Sequence, residues 1–261
     1  MKKKFICIIP ARYASTRFPG KPLAILGNKP IIQHVYERAR EAIEEVYVAT
    51  DDERIKQAVE EFGGHAIMTR SDHRSGTDRI CEALTLILAS RSDTHFSPMQ
   101  QDDLVVVNVQ GDEPFIRPDQ IKTLCQLFDT PETDIATLVT RFPDSEALFS
   151  PNSPKVVADS RGFALYFSRA VIPYIRGREN EEWLRCHNYM KHIGIYAYRA
   201  DVLEQIAGLP ASPLEQAESL EQLRWLENGY RIRCGFTESA TIGIDTPEDL
   251  KRAKEFFKAK G

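Results

Sequence analysis

A chain of 261 residues, 42% apolar and 28% charged, can bury a substantial core and falls between one large domain and two small ones. Its net charge of −4 and pI near 5.9 argue against a nucleic-acid binder, so the basic residues gathered near the start are a local feature suited to a small anionic ligand. No apolar run approaches the roughly 20 residues of a membrane helix, and Met1-Lys2-Lys3-Lys4 precedes only a short apolar stretch, so no membrane insertion is expected.

The first predicted element is a strand, Phe5 to Ile9, whose unbroken apolar run suits burial on both faces of a parallel sheet. Pro30 to Ala42 has helical spacing, with Pro30 at a favourable first-turn position, and Val46 to Ala49 is a short strand. Thr50-Asp51-Asp52-Glu53 gives a capping box for a helix that Gly63-Gly64 ends. His65 to Met68 is a third strand, Ser75 to Leu88 a third helix, Ser90 to Asp103 a polar loop of no assigned role, and Leu104 to Val109 a further buried strand.

This alternation predicts a doubly wound, mostly parallel α/β sheet with its ligand at the carboxyl ends of the strands. Beyond it, Lys155 to Ala158, Ala164 to Ser168 and His192 to Tyr198 are strand-like, and Asp159 to Gly162 offers a hairpin turn. Helices are predicted at Ala200 to Ala207 and Pro213 to Asn228, a strand at Tyr230 to Cys234, and a last helix capped by Thr246 with Pro247 first, running to Lys260. One compact body is expected: a nucleotide-binding half at 1–143, an inserted substrate lobe at 144–200 and a return to the core at 201–261. The five cysteines, odd in number and without a Cys-x-x-Cys pair, predict reduced thiols and a cytoplasmic protein.

The loop Pro10 to Leu23 gathers Arg12, Arg17, Lys21 and a Ser15-Thr16 pair just past the first strand. It is not a Walker loop, which would need a glycine at Ser15 and a hydroxyl at Pro22, and no Gly-x-Gly-x-x-Gly occurs in the chain. Cations and turn N–H groups can hold phosphates, although three cations on a loop can also be a solvated turn. Asp112 follows the strand ending at Val109, and Asp245 follows the apolar Thr241 to Ile244. The two carboxylates could therefore meet above one sheet edge, where they would suit magnesium completed by phosphate oxygens and waters. A lone Asp after a strand, as at Asp112, is usually a turn former, a reading that the matching position of Asp245 complicates. In Arg70 to Arg79, Gly76 permits close backbone approach while Ser75 could simply cap a helix. Arg169 ends a strand, and His192 and Tyr196 share a strand face by even spacing.

These stretches together resemble the CMP-Kdo synthetases, which activate 3-deoxy-manno-octulosonate (Kdo) with CTP. The resemblance is carried by Ile8 to Leu23, Asn108 to Pro114, Ala164 to Arg169, His192 to Arg199 and Asp245 to Asp249, in order and spacing across essentially the whole chain. Ala11-Arg12 stands where broader nucleotidyltransferases of this fold carry Gly-Gly, which favours the branch handling acidic sugars.

The resemblance implies a nucleotide-diphospho-sugar transferase-like, Rossmann-like fold, a homodimer and Mg2+. It implies nucleotide contacts from Ala11, Arg12, Ser15, Arg17, Lys21, Arg70, Ser75, Gly76 and Thr77, and metal ligation by Asp112 and Asp245. It assigns Gln110, Arg169, His192, Tyr196, Glu221 and Gln222 to the acid-sugar pocket, and catalysis to Arg12, Lys21, Asp112 and Asp245. The rival expectations are a cytidylyltransferase for an amino-substituted octulosonate or a sialic-acid-like sugar, and a non-catalytic nucleotide-sugar-binding protein.

Overall fold

The computed structural model describes residues 3–90, 103–238 and 243–260. Nearly all of the loop predicted at Ser90 to Asp103 lies outside them, as do Thr241 and Ile242. Strand β1, Lys4–Ala11, is an interior strand of the main sheet. It pairs in parallel with β4, Glu45–Thr50, on one side and with β6, Leu104–Asn108, on the other. Beyond β4 lies β5, Ala66–Met68. The small hairpin β2, Ile25–Leu26, and β3, Lys29–Pro30, stands apart.

On the far side of β6 the sheet continues through β10, Met190–Arg199, then β7, Ile135–Arg141, then β11, Ile232–Phe236. β10 runs antiparallel to both of its neighbours, whereas β11 is parallel to β7. The hairpin of β8, Lys155–Ala158, and β9, Ala164–Ser168, branches off the start of β10. The segment 144–200 thus supplies a branching hairpin and also a strand of the main sheet.

Alternation along β1 explains the layers. Cys7, Ile9 and Ala11 enter one core with helices α1, Ile31–Arg40, and α2, Glu53–Glu61, whereas Ile6 and Ile8 enter a second core with α3, Gly76–Ser90. The first core also receives α4, Pro118–Gln126, and α10, Pro247–Lys260. The second receives α7, Ala200–Ala207, and α9, Glu221–Glu227. Two short helices, α5 at Ser145–Phe149 and α6 at Trp183–Cys186, and α8 at Pro213–Glu218, complete the described helices longer than one turn of 3₁₀. Each buried Ile or Leu contributes about 1.5–3 kcal/mol, so both faces of β1 are held strongly.

Two local expectations are corrected and two stretches are newly placed. The cap of α2 is Asp52, whose carboxylate accepts the Arg54 N–H, and not Thr50. The single helix expected over Pro213 to Asn228 is two, because Ser219 takes a left-handed conformation with φ 51° and breaks it. Helix α4 and strand β7 lie in a stretch with no predicted element. Gly243 to Asp245 form no strand; Asp245 is placed instead by Ile244, whose N–H donates to Asp112 O at 2.9 Å. Thr246 does cap α10, accepting the Asp249 N–H at 3.1 Å.

Candidate active site

The carboxyl ends of β1 and β6, adjacent and parallel, open onto a cleft of about 300 Å³. Two glycines shape it. A side chain on Gly111 would lie 2.8 Å from Pro10 O, so only glycine lets the exits of the two strands pass this closely. Gly20, at φ 71°, turns the opening loop into the short 3₁₀ segment Lys21–Leu23 and aims Lys21 back over the strand ends.

Lys21 is the centre of the site. Its ammonium donates to Asp112 Oδ2 at 2.6 Å and to Asp245 Oδ1 at 3.1 Å, and Arg17 reaches Asp245 Oδ2 at 3.2 Å. The predicted meeting of the two carboxylates therefore occurs, on a protein cation. The lysine side chain is only 12% exposed, so its charge is poorly screened and acts strongly on whatever enters.

Arg12, Arg74 and Arg79 bring the cations lining the cleft, with Arg17 and Lys21, to five against two carboxylates. Among the described residues Arg12 and Arg74 have no ion-pair partner, which leaves their donors available. Such a surplus of positive charge, in a protein of net negative charge, suits a polyanion.

Of the expected nucleotide residues, Ala11, Arg12, Ser15, Arg17, Lys21, Ser75 and Gly76 line this cleft, as do Gln110, Asp112 and Asp245. Arg70 does not; its side chain is exposed and pairs with Asp72. Thr77 is buried and donates its hydroxyl to Glu221 Oε2 at 3.0 Å, so a residue expected on the nucleotide side touches one expected on the sugar side.

The remaining sugar candidates lie outside the cleft lining. His192 and Tyr196 are neighbours, rings 5.4 Å apart, and keep that relation across a bulge in β10. The His192 ring is enclosed by Phe167 at 5.1 Å and bonded to Thr137 Oγ1 at 3.0 Å, although the residue keeps some solvent contact. Burial pushes its pKa down, to about 3, so it is neutral at physiological pH. Burial, with the nearby Tyr198 and Glu221, raises the Tyr196 hydroxyl pKa well above its ordinary value.

Arg169 uses its guanidinium on backbone carbonyls: Glu218 O at 2.6 Å, Pro151 O at 2.8 Å and Ser219 O at 3.2 Å. Glu221 is raised by burial against the opposing pull of Arg224, to which it is bonded at 2.7 Å. Gln222 is buried with Nε2 unpartnered, and three residues on, Trp225 Nε1 is an equally orphaned buried donor. Two such donors on one helix face want acceptors, such as sugar oxygens or a trapped water.

Sequence reasoning passed over His73, Arg74 and Arg79 as site residues, and Trp225 entirely. The first three sit inside the Arg70 to Arg79 stretch and carry the cationic or imidazole chemistry that marks a polyanion site. Trp225 left no such trace, since an indole in an amphipathic helix reads as core.

A cationic cleft at adjacent strand ends of a mostly parallel α/β sheet, with two carboxylates facing its central lysine, puts the chain in the nucleotidyltransferase class of α/β enzymes. The fold is shared with a cytidylyltransferase structure from Leptospira borgpetersenii, which at only 17% identity superimposes with a TM-score of 0.58 over 98% of this chain and 87% of that one. The chain belongs to the cytidylyltransferase family, whose profile matches residues 6–232.

Within that family it is 57% identical over 260 residues to the 3-deoxy-manno-octulosonate cytidylyltransferase of Phocaeicola vulgatus, covering 98% of each chain. The same enzyme of Parabacteroides distasonis is 56% identical over 258 residues, 97% of this chain and 98% of that protein. A solved structure of CMP:2-keto-3-deoxy-manno-octonic acid synthetase complexed with CTP matches with a TM-score of 0.86 at 46% identity, covering 99% of this chain and 100% of that one.

Proposed function

We propose that this enzyme transfers the cytidylyl group of CTP to 3-deoxy-manno-octulosonate, giving CMP-Kdo and pyrophosphate for lipopolysaccharide assembly. The observation that carries the reading is the junction of Lys21 with Asp112 and Asp245 at the strand ends, in a chain so closely similar to enzymes of that name. The anomeric hydroxyl oxygen attacks the α-phosphorus, the bond to the bridging oxygen of the β-phosphate breaks, and pyrophosphate leaves while the hydroxyl proton is lost. Such chemistry asks the protein for positioning and charge stabilisation, and no covalent nucleophile.

Lys21 and Arg12 stabilise the charge that develops on the phosphates, and Arg17 and Ser15 support the triphosphate. The stretch around Arg70, Ser75, Gly76 and Thr77 flanks the base. Gln110, His192, Tyr196, Arg169, Glu221 and Gln222 form the acid-sugar side, where the unpartnered Gln222 Nε2 is ready to donate.

Asp112 and Asp245 fit Mg2+ in the manner of sites completed by phosphate and water, since two carboxylates already converge on one cation, the Lys21 ammonium. Among the described residues no cluster of three potential ligands exists to hold a metal without substrate. When bound, Mg2+ would neutralise phosphate charge and acidify the attacking hydroxyl. Lys21, relieved of its two carboxylates by the ion, would then be free to turn to the phosphates.

The five free thiols support a reducing compartment, the cytoplasm. Exposed Leu165 and Tyr174, 64% and 73% accessible, support a homodimer formed through the 144–200 segment. The test of the function is pyrophosphate release from CTP, compared with ATP, GTP and UTP, across Kdo, its amino-substituted form and sialic-acid-like sugars. Release with CTP and Kdo alone is expected; none with any acid sugar would leave a nucleotide-sugar-binding protein.

A further inference from the structure

The loop joining β5 to α3 contributes His73, Arg74 and Ser75 to the cleft lining, and α3 itself fastens it at three points. Ser75 N–H donates to Asp78 Oδ2 and Asp78 N–H to Ser75 Oγ, each at 3.2 Å. Buried Arg79 donates to Thr69 Oγ1 at 2.7 Å and pairs with Asp51 at 3.2 Å. Glu82, one turn further along, accepts the Arg70 N–H on Oε2 at 3.0 Å, and the same oxygen meets His73 Nε2. The His73 side chain is 6% exposed and lines the cleft beside Arg74 and Ser75, whereas Glu82 does not line it.

We infer that Glu82 is a positioning residue for the nucleotide: one carboxylate oxygen, held outside the cleft, grips both the Arg70 backbone and the His73 ring and so sets the shape of the wall the base meets. This rests on the reading that the cleft takes CTP. A loop that had to order on binding would lose part of the binding free energy to entropy, and preorganisation avoids that loss. Cytosine and uracil differ mainly in the donors and acceptors along one edge. A wall of fixed shape discriminates them by leaving a mismatched polar group unpaired.

The test is steady-state kinetics of the full chain with CTP and with UTP at saturating acid sugar, with thermal melting measured alongside. Glu82→Ala should raise KM for CTP about tenfold and narrow the CTP-over-UTP preference in kcat/KM, while kcat at saturation changes less than about threefold. Glu82→Gln keeps an acceptor for the Arg70 N–H and should restore part of the loss. His73→Ala should shift KM in the same direction, and the double variant should lose little more than the worse single one, because both act through one contact.

If Glu82→Ala does not fold, Glu82→Gln and His73→Ala carry the same comparison. Unchanged KM and base preference with only a lower melting temperature, or additive losses, overturn the inference. Wild-type protein that releases no pyrophosphate from CTP overturns the functional reading instead, so the two failures are distinguishable.

Discussion

Lys21 has two jobs that pull in opposite directions. It pairs with Asp112 and Asp245 in the structure, and in the proposed reaction it would turn to phosphate charge. Lys21→Ala should therefore lower turnover about a hundredfold, roughly 3 kcal/mol of transition-state stabilisation; near-normal turnover at saturating CTP would remove it from the chemistry. Asp112→Asn and Asp245→Asn should each cut activity steeply and weaken the response to magnesium, with the double variant little worse than the poorer single one. Magnesium titration of turnover in all three proteins checks this, and an unchanged response in either single variant takes that residue out of the metal site.

His192 gives a pH signature at the same scale. Its folded pKa, about 3, lies below the ordinary 6.5, so the unfolded chain binds the extra proton first as pH falls. The stability linked to neutral His192 is complete above about pH 6.5 and is lost progressively toward pH 3. Chemical denaturation at pH 7.5 and 5.5 should show a loss of up to about 1 kcal/mol that His192→Gln removes. An identical pH slope in the variant would exclude this linkage.

Among elements, the join of α8 to α9 depends on contacts far away in sequence. Arg169, at the end of β9, ties its guanidinium to the carbonyls of Glu218 and Ser219 at the helix break. Glu218 returns its carboxylate to the Arg169 N–H at 2.9 Å and to the Ser168 hydroxyl at 2.6 Å. Fully buried Lys155 fixes the Arg169 carbonyl at 2.8 Å. Arg169 thereby sets where Glu221 and Gln222 stand, whether or not it also touches sugar. Arg169→Ala should cost about 2 kcal/mol of stability and raise KM for the acid sugar more than for CTP. Urea denaturation with paired KM measurements checks both; intact stability with a raised sugar KM would make Arg169 a ligand and not a latch.

At the scale of the whole molecule, the insertion of antiparallel β10 between β6 and β7 ties His192 and Tyr196 to the strand that leads into the cleft. Tyr196 lies opposite Asn108 in the β10–β6 register, and Gln110 donates to Asn108 Oδ1 at 3.1 Å, so the two halves share one sheet. The branching β8–β9 hairpin leaves Leu165 exposed, and the proposed homodimer would use this face. Sedimentation of the wild type should give a dimer, and Leu165→Glu with Tyr174→Glu should shift it to monomer; a monomeric wild type would refute the assembly.

Local order determined much of this protein from sequence alone. Apolar runs such as Phe5 to Ile9, helical stripes such as Ile80 to Ile87 and the Thr246-Pro247 cap depend on neighbours a few residues apart, and they form where expected. The opening loop was legible because three cations past a buried strand carry their chemistry in their side chains.

Tertiary structure decided the rest. It decided that Ser219 splits a helix whose amphipathic pattern runs on without a break, because the break is held by Arg169, 50 positions away. It decided that Asp112 and Asp245 meet on Lys21, since that convergence depends on Gly111 passing Pro10 and on Ile244 bonding to Asp112. It also decided that Thr77 faces Glu221 and that Glu82 holds His73. Hydrogen bonds between distant segments leave no periodicity in a sequence; they exist only once the sheet has brought the strand ends together.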